Sequence, residues 1–249
     1  MKKMIKHINH YKKELSRFVK ELETSPEGCL IKSGTSYRHR IKGKDIGITK
    51  NELLIIQLCR KKFLIERIKQ LKYNIAVILA DNLENFDFRT PQELIQSFPS
   101  AYQGLPKEYF YHPSVIPWLQ QERVKNTYPM DSSDWSYSNN GTPLRSKSET
   151  FIANLLEQYD LPYHYDVATK IGTKPMYPDF LIINPYTGIV TPWEHFGALH
   201  KDGYEKKMNE KMAIYLEAGF IPLETIIYTF EADAKNPARL KYLIEKLLL

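Results

Sequence analysis

Two acids stand where an apolar strand would carry core residues. Residues 177–183 read Tyr-Pro-Asp-Phe-Leu-Ile-Ile, with Asp179 near the start. Residues 189–197 read Ile-Val-Thr-Pro-Trp-Glu-His-Phe-Gly, with Glu194 near the end. The intervening Asn184-Pro185-Tyr186-Thr187-Gly188 has turn chemistry, so the two runs form a β-hairpin. In an antiparallel pair the start of one strand lies beside the end of the next. Asp179 and Glu194 therefore share one end of the hairpin. Adjacent carboxylates repel, and burying either is costly unless it is paired or bound to a metal. A Lys or Arg for each would meet that requirement. So would a hard divalent cation, because all-oxygen sites suit Mg2+ or Mn2+.

Pro178-Asp179, a turn and then Glu194 resembles the core of the PD-(D/E)xK nucleases, which have the restriction-endonuclease-like fold. The resemblance extends upstream to Arg145-Ser146-Lys147-Ser148-Glu149. Downstream it runs through Trp193-Glu194-His195-Phe196-Gly197 into a Lys-rich helix, covering residues 143–231. It implies phosphodiester hydrolysis with Mg2+, for which Mn2+ could substitute. The ion would be held by Asp179, Glu194 and the backbone carbonyl of His195, with Glu149 completing the site.

One position departs from the pattern. The family places a Lys two residues after the second acid, and here that residue is Phe196. Members of this fold also take the Lys from a neighbouring element. Lys207, Lys211 and Tyr215 follow at i, i+4 and i+8, on one helical face. Lys211 is the first choice for the catalytic cation and Lys207 the second; solvated helix charge is the plain alternative for each. Glu149 also has a plain reading, as the third residue of a helix capped by Ser146, with capping-box spacing. The His195 side chain alternates away from Glu194 and reads as a packing or hydrogen-bonding group, and Trp193 as core. Pro192 predicts an edge strand or a bulge.

Other elements must position these residues. Ser146 opens a helix with Phe151, Ile152, Leu155, Leu156 and Tyr159 inward, and residues 163–167 form a strand. After the hairpin come a helix over 202–218 ended by Gly219, a buried strand over 223–229 and a closing helix over 236–248. This order predicts an α/β core: a mixed sheet flanked by helices. Upstream, apolar spacing predicts a helix over 4–23, then a small hairpin with Ile46-Gly47-Ile48 as a third strand. A long helix over 50–85, or two helices meeting near Tyr73-Asn74, is capped by Thr49 with Glu52 at the capping-box position. Thr90-Pro91 starts a short helix. The expected organisation is a mainly helical basic region with a small hairpin at 1–98, a linker or irregular arm at 99–142, and a nuclease-like core at 143–249. In the arm, Trp118-Leu119 and Tyr128-Pro129-Met130 are expected to dock on the core. The polar run over 131–140 lacks calcium-loop spacing.

The chain has 249 residues, 43% hydrophobic and 26% charged, an ordinary balance for a globular protein. Its net charge of +6 is uneven. Residues 1–72 hold 19 Lys and Arg against 7 Asp and Glu; the remainder holds 16 against 22. A basic front and an acidic back predict a polyanion contact beside a metal-holding core. The candidate phosphate contacts are Lys32, Arg38, Arg40, Lys42 and Lys44 of the small sheet, and Arg60, Lys61 and Lys62 of the long helix. Cys29 and Cys59 form no metal-ligand pattern, and no disulfide is expected. No apolar run is long enough for a transmembrane helix, and no signal peptide is expected. The expected location is cytoplasmic. The expected partner is DNA, with RNA compatible, and a second copy or a partner protein is allowed. A nucleic-acid-binding module of the same fold with weak or no activity is the alternative function.

Overall fold

The computed structural model describes residues 2–127 and 135–249, with side chains from residue 8 onward. Residues 128–130, expected to dock, and 131–134 of the polar run lie outside the described residues. The chain divides into two units, at residues 1–112 and 113–249.

The first unit is built on two helices, α1 (Lys2–Leu22) and α2 (Glu52–Leu79). Two ion pairs tie them: Glu21 to Arg60 through both carboxylate oxygens at 2.8 Å, and Glu14 to Arg67 at 3.0 Å. Moving seven residues back on α1 moves seven forward on α2, so the helices run antiparallel. Phe18 meets Phe63 edge-on between them. Strands β1 (Cys29–Ser33), β2 (Ser36–Ile41) and β3 (Lys44–Gly47) make an antiparallel sheet in sequence order. Leu30 and His39 are buried, and the His39 ring nitrogen reaches the Glu27 carbonyl at 2.6 Å. Gly28 is required here. Its φ is +85°, and a Cβ would stand 2.2 Å from the Arg40 carbonyl.

Asn51, not Thr49, caps α2 by accepting the Leu54 amide. The Thr49 hydroxyl is used across the sheet, where it accepts the Tyr37 amide. The helix stops at Leu79, short of residue 85. Thr90 and Glu93 form a full capping box on α3 (Pro91–Gln96). The division after His112 moves the expected boundary. Residues 99–112, read as part of the arm, fold with the first unit because their aromatics are core. Tyr102, Phe110 and Tyr111 are buried, and Tyr102 accepts the Leu30 amide.

The second unit opens with α4 (Val115–Gln120), the short pair β4 (Ser136–Tyr137) and β5 (Pro143–Leu144), and α5 (Lys147–Gln158). Strand β6 (Tyr163–Tyr165) follows, then a separate hairpin of β7 (Thr169–Ile171) and β8 (Lys174–Met176) that sequence reading did not anticipate. Strands β9 (Phe180–Ile183) and β10 (Val190–Phe196) form the expected hairpin. The chain ends with α6 (Tyr204–Glu217), β11 (Ile227–Phe230), α7 (Glu231–Ala234) and α8 (Pro237–Leu247). The main sheet has the order β6-β9-β10-β11, antiparallel except for the parallel β10–β11 pair. On one face Trp193 and Ile227 pack with Leu156 of α5 and Leu243 of α8. On the other, Phe196 and Tyr228 pack with Tyr215 of α6. The unit is a mixed α/β sandwich, and Trp118 docks on it as expected, its ring 4.3 Å from that of His164 on β6 and tilted to it.

Two strand details differ from expectation. Pro192 lies in a central strand, opposite Leu181 of β9. Amide direction alternates along a strand, and the His195 amide points to the β9 side, so the Pro192 nitrogen points to the β11 side. There β11 pairs only from Trp193 onward, and no ladder bond is lost. The last strand is shorter than 223–229, because Leu223 takes a positive φ of +61° and residues 221–226 turn.

Glu21→Ala strips the carboxylate partner from the buried Arg60 guanidinium and is expected to destabilise the first unit by about 3 kcal/mol or more. Arg38→Ala, on the exposed sheet face, is expected to stay within about 0.5 kcal/mol. Chemical denaturation of the two variants checks the contrast.

Candidate active site

The hairpin register brings the two acids together. Phe180 pairs with Trp193, which sets Asp179 beside Glu194 at the open end. The Asp179 carboxylate continues the ladder: its Oδ2 accepts the His195 amide at 2.7 Å. Glu194 points to the α6 face and is 0% exposed. Two α6 side chains four residues apart grip it. Lys211 Nζ is 2.5 Å from Oε2, and the Tyr215 hydroxyl donates to Oε1 at 2.6 Å. Lys211 also donates to the Tyr177 carbonyl. Phe196, at the position where a strand Lys was looked for, is core and packs on Tyr228. Lys207, one turn before Lys211, is exposed.

The third acid arrives from α5. The Ser146 side chain accepts the Glu149 amide, so the N-cap is real. The Glu149 carboxylate does not return to the cap. Its Oε2 accepts the Tyr165 hydroxyl at 2.7 Å and the Arg145 amide at 3.1 Å. The cap is therefore half of a capping box: the backbone half forms, and the carboxylate turns to Tyr165 and Arg145 instead.

Sequence reasoning missed three members of this cluster. Arg145 was quoted only as part of a motif. Its Nε donates to the Tyr165 hydroxyl at 2.9 Å, and one terminal nitrogen lies 3.3 Å from Asp179 Oδ1 and 3.4 Å from Asp166 Oδ2. Tyr165 links that guanidinium to Glu149. Asp166 is a fourth acid, buried just beyond β6, with a positive φ of +49°. An acid at one end of a strand is the signal that singled out Asp179, and Asp166, just past the end of β6, carries it too.

Burial is the dominant electrostatic fact. Desolvation, then the neighbouring Asp179 charge, hold the Glu194 carboxyl up to about 8. Lys211 and Tyr215 oppose this without offsetting it, although the Lys211 contact is short. Burial and Asp179 also raise Glu149, and burial raises Asp166. Among the described residues, no three His, Cys, Asp or Glu side chains converge closely enough to hold a metal by themselves. The donors at the hairpin end are two carboxylates and a carbonyl. Asp179 and Glu194 each give one oxygen to a neutral donor and turn the other toward a side-chain cation. The His195 carbonyl faces the same edge as its amide, the Asp179 side. That donor set fits a hard divalent ion completed by water or phosphate oxygens, as is usual for Mg2+.

The candidate phosphate contacts of the first unit divide. Lys32, Arg38, Arg40, Lys42 and Lys44 are exposed on the small sheet, Arg40 paired with Asp45 and Lys42 with Glu27. Arg60 is 5% exposed, bound to Glu21 and donating to the Phe110 carbonyl. Lys61 donates to the Pro26 and Gly28 carbonyls. Arg60 is corrected to a structural cation, because it is buried and held inside the fold, and Lys61 is half-buried and held by two backbone carbonyls. Lys62 is half-buried and paired with Glu66.

No family model matches the chain, and no solved structure matches it. The chain is similar to an uncharacterized protein of Methanocaldococcus jannaschii, 24% identical over 176 residues. The match covers 68% of this chain and 13% of that protein, so the chain spans a small part of its relative's length.

A carboxyl whose pKa is higher folded than unfolded takes up a proton on folding. Its contribution to stability therefore falls as pH rises from 4.5 to about 8. Glu194→Gln removes that loss while keeping the shape. In EDTA, its melting temperature relative to the parent is expected to rise by several degrees between pH 5 and pH 9. A difference independent of pH would contradict the raised pKa.

Proposed function

We propose that the second unit is a metal-dependent endonuclease that hydrolyses the phosphodiester bonds of DNA. The carrying observation is the hairpin end: Asp179 and Glu194 side by side, with Lys211 on Glu194. The Lys that strand β10 lacks is supplied by α6. The strand order, with α5 before the three antiparallel strands and α6 before the parallel β11, supports the restriction-endonuclease-like reading of this α/β unit.

The roles follow from the contacts. Mg2+, or Mn2+ in its place, held by Asp179, Glu194 and the His195 carbonyl with Glu149 nearby, would supply charge neutralisation and a more acidic water. Tyr215 holds Glu194 by one oxygen and leaves the other directed at the site. Lys211 stands where its ammonium orients the attacking water or neutralises charge developing on the phosphate. The His195 amide fixes the rotamer of Asp179. Its ring, held at 3.0 Å by the Thr229 hydroxyl on the opposite sheet face, locks this stretch of β10. In the first unit, the exposed cations of the small sheet provide backbone affinity that does not depend on sequence. No described helix is long and apolar enough to cross a membrane.

A second reading, a nucleic-acid-binding module of weak or no activity, is favoured by the side-chain cations that already face Asp179 and Glu194. Supercoiled plasmid incubated with Mg2+, Mn2+ or EDTA separates the two. Metal-dependent nicking or linearisation is expected, abolished in Asp179→Ala and slowed about 100-fold or more in Lys211→Ala. Lys207→Ala is expected to stay within about twofold of the parent, an exposed charge away from the acids being worth little. DNA retained in a gel without cleavage under either metal would establish the binding module instead.

A further inference from the structure

We infer that Arg145 binds a backbone phosphate of the nucleic acid at this site, and that Asp166 is the residue that positions it. The inference deepens the reading of the second unit as acting on nucleic acid.

Arg145 differs from Arg60, a buried structural arginine of the first unit. Arg60 meets Glu21 through two bonds of 2.8 Å and is 5% exposed. Arg145 is 18% exposed, and its terminal nitrogen sits 3.3 Å and 3.4 Å from two carboxylates. Charge-assisted bonds of a committed pair are shorter, about 2.7–2.9 Å. The guanidinium is instead shared between two acids of the cluster. Its Nε is fixed by the Tyr165 hydroxyl, and its Cζ lies 5.8 Å from the Tyr165 ring centre. These contacts with Tyr165 fix the orientation, while one terminal nitrogen faces the acids.

The oxygen it contacts on Asp179 is Oδ1, the one not engaged by the His195 amide. A divalent ion on Asp179 would compete for that oxygen. Asp166 gives the guanidinium a second attachment, so Arg145 stays at the site when the Asp179 contact is given up. Asp166 is itself held. Its amide donates to the Asp179 carbonyl at 3.0 Å, its carbonyl accepts the Asn126 amide, and Asn126 also donates to its Oδ1 at 3.3 Å. Its left-handed backbone is uncommon outside glycine and persists here because these neighbours over-determine it. A planar guanidinium given up by Asp179 but kept beside it by Asp166 matches the fork geometry of a phosphate.

The test is anisotropy of a labelled short DNA duplex across a KCl series, once in EDTA and once with Ca2+ replacing Mg2+, with folding of each variant checked by thermal unfolding. Arg145→Ala is expected to weaken binding about tenfold with Ca2+ and to flatten the slope of log affinity against log salt by about 0.9. A merely structural role would not move that slope. Arg145→Lys is expected to keep the slope and lose part of the affinity. Asp166→Asn is expected to weaken binding with Ca2+ and to leave binding in EDTA close to the parent, because Asp179 still holds Arg145 there. A folded Arg145→Ala with parental slope would overturn the inference, even if the parent cuts plasmid. An Asp166→Asn loss equal with and without Ca2+ would overturn the positioning role. A parent that never cuts, but whose slope depends on Arg145, would support the phosphate contact while removing the nuclease reading.

Discussion

A carboxylate sealed from water beside a second carboxylate must be compensated, and in this chain that carboxylate is Glu194. Removing an ion from water costs several kcal/mol even after relaxation. The unit answers from three directions. Tyr215 and Lys211 reach it from α6, and the Asp179 charge is drawn aside by the His195 amide and by Arg145. None of these returns the Glu194 carboxyl to its ordinary range. A buried pair of apolar side chains would be the simpler core. Keeping an acid here, at the cost of fold stability, is the pattern of a site rather than of a scaffold.

The parts of the site that sequence disclosed are those governed by short-range geometry. An antiparallel hairpin with a readable turn sets its own register, so Asp179 and Glu194 could be placed together from their positions in two apolar runs. Helical spacing put Lys211 and Tyr215 on one face, and both touch Glu194. What sequence did not disclose depends on partners far away in the chain. Asp166 meets Arg145 across about one helix and one loop, and no local period encodes that meeting. The Gly-Thr-containing stretch after β6 hid a second hairpin, because three-residue strands leave almost no alternation to read. Pro192 was misjudged for a related reason. Whether a proline costs a ladder bond depends on where the neighbouring strand begins, and β11 begins 34 residues later in the pairing of Trp193 with Ile227.

Charge counting in the first unit does not separate structural cations from exposed ones. A count of Lys and Arg does not say which of them face water. Arg60 and Arg67 are tied to Glu21 and Glu14, Lys62 to Glu66 and Arg40 to Asp45. Each such pair takes one cation and one acid together, so the net excess of the unit is unchanged, but the paired cations are less available to a ligand than the exposed ones of the small sheet and of α1. The boundary moved for the same kind of reason. Residues 99–112 look loop-like by their prolines and glycine, yet Tyr102 and Phe110 bury more apolar surface than a linker would tolerate.

Placing the lysine on a helix changes what controls it. A lysine two residues after the acid would be held by strand register, which slips only at the cost of turning every side chain to the other face. Lys211 is held instead by how α6 seats against the sheet, through Tyr215 and the methionines beside it. Phe196 in the vacated strand position adds apolar contact to that same seat. Under the proposed function, Phe196 is a packing group where the strand would carry the lysine, and the packing of α6 sets the position of Lys211. A small shift of the helix moves the ammonium relative to Glu194 while leaving the two acids in register. Cation and carboxylates become separately adjustable, which a single strand carrying both would not allow.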